Sequence, residues 1–181
     1  ISNKNNIILI FDECTSGFRE NFGGLQKKIS VNPDILILGK ALGNGYPITA
    51  IIGKEEVMKY AEKTFISSTF WTDRVGPAAA LKTLEIMENS KSWQIITELG
   101  KYVNKQWIKI AKNNNIKINI EGLPSISRFS IKSDNFDAYK TYISQEMLKK
   151  NILASNIFYL SIFHKKKDIN RYLDILNDIF Y

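Results

Sequence analysis

Hydrophobic positions fall into two regimes along the chain. Up to about residue 53 they come as short unbroken runs: Ile7-Ile8-Leu9-Ile10-Phe11, Ile35-Leu36-Ile37-Leu38, and Ile48-Thr49-Ala50-Ile51-Ile52. Short apolar runs bounded by turn residues read as buried strands. The first has no polar alternation, so it is expected to be covered on both faces. The third follows the second so closely that an antiparallel return through the intervening glycine turn is expected. Then the spacing becomes helical. A short polar helix is expected over 54–60, an alanine-rich one over 77–87 with Pro77 in its first turn, and a long one over 93–112. The long one carries Ile95, Ile96, Leu99, Val103, Trp107, Ile108 and Ala111 at helical spacing, and Trp93 and Trp107 are assigned to the core. After Asn113-Asn114-Asn115 the pattern alternates strictly over 116–120 and again over 125–131, as strands with one buried face do. A helix over 136–150, a strand over 157–161 and a closing helix over 167–181 complete a small α+β unit.

Two of the apolar runs end in chemistry. Strand 35–38 runs into Gly39-Lys40 and a glycine-rich turn, and strand 7–11 stops at Asp12-Glu13. The carboxyl ends of strands are where open α/β sheets bind ligands. Desolvation at such a place would lower a lysine's pKa and free its amine as a nucleophile, the condition for a Schiff base. The structural alternative is a lysine whose stem packs and whose head reaches water. A phosphate loop fails, because Ala41 stands where Ser or Thr is needed and no glycine precedes at the required spacing. A carboxylate and a lysine at two strand ends are the pair that pyridoxal phosphate needs: an amine to hold it and an acid to keep its pyridine nitrogen protonated.

The stretch Asp12-Glu13-Cys14-Thr15-Ser16-Gly17-Phe18-Arg19 resembles the D-E-x-x-T-G-F-R signature of class III aminotransferases. Residues 33–47 resemble that family's lysine segment, P-D-x-x-x-x-G-K-x-x-G-x-G-x-P. The likeness covers most of the chain and points to the glutamate-1-semialdehyde aminomutase branch. It implies an α/β chain: part of a fold-type I large domain with a mostly parallel sheet (residues 1–115), then a small C-terminal α+β domain (116–181). It implies Lys40 as the Schiff-base lysine of a pyridoxal 5'-phosphate enzyme transferring amino groups, with Asp12 at the pyridine nitrogen. Cys14 stands in the place of the small residue that packs on the ring. Small-molecule amino donors and acceptors and a homodimer are implied as well.

In the family a G-T-x-x-G-N-P loop gives a threonine to the cofactor phosphate across the dimer interface. Setting Gly76-Pro77 on N-P puts Thr72 on that threonine, with Thr69 as the fallback and an ordinary helix cap as the structural alternative. Asp73-Arg74-Val75-Gly76 departs from the family pattern there. Arg19 reads equally as a substrate or structural ion-pair residue or as a surface guanidinium. Ser161-Ile162-Phe163-His164 with Asp168-Ile169 resembles the close of aminomutase-like chains. His164 has no visible ligand partners, so a structural or near-pocket role is expected and no metal site.

Composition changes this picture little. Of 181 residues, 44% are hydrophobic, enough for a globular core. The net charge is +7, but the lysines scatter and no nucleic-acid motif accompanies them, so nucleic-acid binding is not expected. No run resembles a signal peptide or a membrane span. One cysteine excludes an intrachain disulfide and fits a reducing, cytoplasmic setting. The resembled enzymes carry a phosphate-cradling loop and a ring-stacking aromatic ahead of these motifs. The chain is therefore expected to be the C-terminal portion of such an enzyme, inactive alone. The rival expectation is a truncated remnant or an interaction module.

Overall fold

A computed structural model describes residues 2–181, which divide into two compact units, one up to Trp93 and one from Gln94. The first holds strands β1 (Ile10–Glu13), β2 (Ile35–Leu38) and β3 (Ala50–Gly53) in the order β1-β2-β3. β1 and β2 run parallel, with Asp12 opposite Ile37, so the two strand ends lie side by side. β3 returns antiparallel to β2, as its nearness in sequence suggested. Helices α1 (Glu55–Met58) and α2 (Val75–Ser90) follow. One sheet face packs Leu36 and Leu38 against Phe18, Leu42 and Ala80 of α2.

Asp34 fastens the entry of this sheet. Its carboxylate accepts from the Leu9 N–H at 2.7 Å and from Lys54 Nζ at 2.7 Å. Its backbone carbonyl accepts from the Lys54 N–H at 3.0 Å. The Leu9 carbonyl accepts from the Asp34 and Ile35 N–H groups at 2.8 and 3.1 Å while its N–H goes to the Asp34 side chain, so the regular ladder starts at Ile10 and the expected strand loses its first three residues.

The expected burial of that run on both faces fails. Ile7, Ile8 and Ile10 are each more than half exposed, and so is Ile51 on the same sheet face as Ile10. β1 is an edge strand, and the face it shares with Ile35, Ile37 and Ile51 is open at Ile10 and Ile51, while Met58 of α1 lies over its Gly53 corner.

The second unit is an antiparallel sheet of β4 (Ile118–Glu121), β5 (Ile126–Ile131) and β6 (Ile157–Tyr159), in the order β4-β5-β6. With it pack α3 (Ser92–Asn113), α4 (Phe136–Lys149) and α5 (Lys166–Phe180). On β5, Ser127 and Phe129 face inward, while Arg128 faces out to Glu121 across the ladder. The core joins Val103, Trp107, Phe129, Met147, Leu160 and Leu176, all almost fully buried. Trp107 Nε1 donates to the Tyr172 hydroxyl at 3.0 Å, which satisfies both polar atoms.

Gly100 lets α3 meet the turn before β5: a Cβ there would stand 1.9 Å from the Pro124 carbonyl oxygen. The two compact units part between Trp93 and Gln94, ahead of residue 116, where the small domain is expected to begin. From Gln94 on, α3 turns its apolar stripe into the second unit's core and belongs with it.

Candidate active site

β2 delivers Lys40 at the end of a buried apolar run. Leu38 and Gly39 are buried, and Lys40 opens a tight one-turn helix that continues to Leu42. Its φ of +42° is left-handed, a conformation that costs a non-glycine residue about 1–3 kcal/mol and concentrates at functional sites. The side chain is exposed, so the desolvated amine expected at this strand end is not what the chain presents. Lys40 Nζ donates instead to Thr15 Oγ1 at 2.5 Å. Gly39 admits the neighbouring segment, since a Cβ there would lie 3.1 Å from Cys14 Sγ and 3.2 Å from Thr49 Cγ2.

β1 delivers the other half. Asp12 is exposed, and its Oδ1 accepts from the Cys14 N–H at 3.0 Å. Partial burial, together with a hydrogen bond to Asp12 and that carboxylate's charge, pushes the Cys14 thiol up, while the Lys40 charge pulls it the other way. The thiol therefore feels both candidate groups.

Glu13 points to the opposite, inner face, as strand alternation requires. Its buried carboxylate gathers the loop that follows. Oε2 accepts from Ser16 Oγ at 3.0 Å and from the Leu25 N–H at 2.5 Å, and Oε1 accepts from the Gln26 N–H at 2.9 Å. That loop carries Thr15 to Lys40. Neither Glu13 nor Thr15 was singled out from the sequence. Glu13's signal was its place on the inner face of a strand beside the acidic candidate. Thr15 had none beyond its nearness to Asp12.

The hydroxyl-rich loop stands ahead of α2. Thr69 and Thr72 are both exposed, and neither hydroxyl has a hydrogen-bond partner among the described residues. Asp73, one residue ahead of the N-cap Arg74, takes the first N–H of the helix: its Oδ1 accepts from the Val75 N–H at 2.9 Å. Its Oδ2 accepts from the Tyr46 hydroxyl at 2.7 Å. The departure from the family pattern at residues 73–76 thus has a local physical role, and Thr72 is left uncommitted to capping. Arg19 lies half-buried in the loop gathered by Glu13, its N–H donating to the Ser16 carbonyl at 3.2 Å. In the second unit, His164 Nδ1 accepts from the Ser161 N–H at 2.9 Å and the ring lies edge-on to Phe158, a structural arrangement. Among the described residues no group of three or more His, Cys, Asp and Glu could hold a metal, and no helix is long and apolar enough to cross a membrane.

Residues 1–178 match the family described as Aminotransferase class-III. The chain belongs to the class-III aminotransferase family. It is 34% identical over 172 residues to the 3-aminobutyryl-CoA aminotransferase of Cloacimonas acidaminovorans, covering 93% of this chain and 42% of that protein. It is 28% identical over 193 residues to the glutamate-1-semialdehyde 2,1-aminomutase of Natranaerobius thermophilus, covering 97% and 45%. The FumI protein of Sphingopyxis sp. MTA144, solved with PLP, superposes with a TM-score of 0.90 at 21% identity, over 99% of this chain and 44% of that one. The fold is thus that of fold-type I transaminases, and the chain spans less than half the length of these relatives. Pyridoxal phosphate is the cofactor of this aminotransferase family. The residues present suit it: an amine and a carboxylate at adjacent parallel strand ends, a small soft side chain beside them, and uncommitted hydroxyls before a 16-residue helix.

Proposed function

We propose that this chain carries the lysine-bearing half of the active site of a pyridoxal-phosphate enzyme that transfers amino groups between small molecules. The observation that carries the reading is the pair of strand ends: Asp12 closing β1 and Lys40 following β2, parallel and in register, with Lys40 held in a left-handed turn. Lys40 would hold the cofactor through its amine, Asp12 would face the pyridine nitrogen, and Cys14 would pack on the ring. Thr72, or else Thr69, would take a phosphate oxygen. Bound pyridoxal phosphate supplies an electron sink for the carbanion formed beside the substrate's amino group.

Lys40 Nζ, once free, is the base that takes the substrate's α-proton and the acid that returns it. Thr15 steadies the amine through a hydroxyl that can accept from it or turn away. Asp12, a carboxylate open to a ligand on the exposed sheet face, stabilises positive charge placed there. Substrates of the aminomutase kind, or free amino donors and acceptors, fit the reading equally. A homodimer, with Thr72 serving the partner's site, and a cytoplasmic setting are parts of the same proposal.

The test is borohydride reduction of the protein with added pyridoxal phosphate, followed by peptide mapping. Label on Lys40 supports the reading, and label on Lys54 in its place overturns it. A second reading, an interaction module without catalysis, is favoured by one observation, the open apolar face around Ile10 and Ile51. Gel filtration during the same titration separates the two. A chain that self-associates and takes up no cofactor at any concentration favours the module.

A further inference from the structure

The turn after Lys40 and the hydroxyl loop before α2 are joined at two points. The first is apolar: Leu42, at the end of the lysine turn, is buried in one cluster with Ala80 of α2. The second is polar, the bond from the Tyr46 hydroxyl to Asp73 Oδ2 at 2.7 Å. The Tyr46 end is rigidly built. Its N–H donates to the Gly43 carbonyl at 3.1 Å, and a Cβ on Gly43 would fall 2.1 Å from the Tyr46 carbonyl oxygen, so the turn tolerates no side chain at that position. The ring lies against the first turn of α2, where a Cβ on Gly76 would meet Tyr46 Cε1 at 3.2 Å.

The Asp73 end is equally defined. Its other carboxylate oxygen caps the helix through Val75, and its own N–H donates to the Phe70 carbonyl at 3.0 Å. Thr72 therefore sits inside the 70–73 turn, whose last residue is pinned both to the helix and to Tyr46. By contrast, residues 64–72 are exposed throughout, and no side chain from 65 to 72 makes a hydrogen bond among the described residues. The Tyr46–Asp73 bond is the polar link between the loop's far end and the turn that follows Lys40.

We propose that Tyr46 and Asp73 are positioning residues: their hydrogen bond fixes the end of the hydroxyl loop against the lysine turn of the same chain, and so sets where the hydroxyl of Thr72 is presented to an anionic ligand group, that of the partner's site in the homodimer proposed above. The anion is a phosphate monoester, a part of the inference that rests on the reading under Proposed function. The mechanical part does not rest on it. A phenol donating to a carboxylate is stronger than a bond between neutral groups and has a defined direction. Both partners are half-buried, so the bond is screened but not dissolved by water. Only Tyr and Asp in this arrangement give the link together with the cap. Phe at 46 keeps the ring packing and loses the donor. Asn at 73 keeps one acceptor, its Oδ1, and puts an NH2 donor where the second acceptor stood.

The test uses the 181-residue chain and its Tyr46→Phe, Asp73→Asn and Asp73→Ala variants, each checked for an unchanged helix content. Chymotrypsin reads the loop at Phe65, Phe70 and Trp71, with cleavage at Tyr142 in the second unit as internal control. Tyr46→Phe should raise loop cleavage about three- to tenfold, the range expected when a partly screened charge-assisted bond stops opposing local opening. Asp73→Ala should raise it more and Asp73→Asn less, with Tyr142 unchanged in all. Equal loop cleavage in wild type and Tyr46→Phe overturns the proposal.

The ligand part is read by comparing the affinity of pyridoxal phosphate with that of pyridoxal through tryptophan fluorescence. The expected result is that wild type prefers the phosphorylated form and that Tyr46→Phe loses most of that preference. If loop cleavage rises but wild type shows no preference, the link stands and the phosphate reading of Thr72 falls. If wild type prefers the phosphate and Tyr46→Phe keeps that preference undiminished, the positioning role is overturned while the proposed function survives.

Discussion

The unit that carries the candidate chemistry is the worse packed of the two. Up to Trp93, the fully buried apolar side chains are few: Phe18, Leu36, Leu38, Leu42 and Ala80, each with 6–7% of its surface still exposed. From Gln94 on, Val103, Phe129, Met147 and Leu176 show no exposed surface at all. The first unit also leaves isoleucines open on a sheet face, Ile10 and Ile51 among them, while the second packs one face of its sheet under three helices and leaves Ile157 and Tyr159 of β6 exposed. A unit closed in this way owes its stability to its own core. The first owes more to polar fastenings: Asp34 at the sheet's entry, Glu13 under the loop, and Asp73 at α2. Exposed apolar area of this kind marks a surface made to be covered, so the first unit's contacts describe only part of the stability it is built to have.

The sharpest way to break that contrast is Phe129→Ala. Phe129 is wholly buried and sits edge-on to Trp107 and Phe180. Its loss should cost about 3–5 kcal/mol, the usual range for emptying an aromatic site in a tight core. The second unit should lose its near-ultraviolet signal and its slow-exchanging amides, while Asp34-linked amides in the first keep theirs. Parallel loss in both units would show that they fold as one and would end the comparison.

Next in size is Glu13→Ala, which should loosen the first unit alone. It strands the Ser16 hydroxyl and the Leu25 and Gln26 N–H groups around a buried position, at about 1–3 kcal/mol for each group that finds no water. The loop of residues 14–26 then releases Thr15 from Lys40. Hydrogen exchange at Leu25 and Gln26 should rise by at least tenfold, with α3 through α5 unchanged. Unchanged exchange at those two amides would remove Glu13 from the role given to it.

Much of this was legible in the sequence, and the reasons for the gaps are physical. Strands 35–38 and 126–131 and the helices announce themselves because burial on one or two faces imposes a period on the residues. That period states that a face is covered but not what covers it. The run from Ile7 was read as doubly buried for that reason, and α3 was assigned to the first unit although its stripe packs in the second. Asp12 and Lys40 were found because strand ends are addressable positions. Thr15 was not, because a loop hydroxyl reaching a lysine 25 residues away leaves no periodic trace. Asp73 was visible only as a departure from a pattern, and its two hydrogen bonds explain it after the fact.

Acid and alkali offer the smallest and most selective probe of the same contrast. Two carboxylates are held below their ordinary range, both in the first unit: Asp34 by the Leu9 N–H and then Lys54, and Asp73 by the Tyr46 hydroxyl and then the Val75 N–H. A depressed carboxylate contributes stability that is present above its unfolded pKa and is lost as pH falls through the folded value. Acid should therefore soften the first unit before the second. Alkali works on the second through Tyr172, whose hydroxyl burial pushes up strongly, with the bond to Trp107 opposing. Its contribution is whole below the ordinary tyrosine range and is lost as pH climbs from there toward the raised value. Lys54 and Tyr46 are raised as well, so the first unit also weakens in alkali, but through half-exposed groups that water screens. The measurement is site-resolved hydrogen exchange at mildly acidic, neutral and strongly alkaline pH. The expected order is earlier opening of the Leu9 and Val75 amides in acid, and of amides around Trp107 and Tyr172 only in strong alkali. Asp34→Asn should remove much of the acid response at Leu9 and leave Val75 to Asp73. If both units open together in acid, the polar fastenings are not what distinguishes them, and the difference between the units rests on core packing alone.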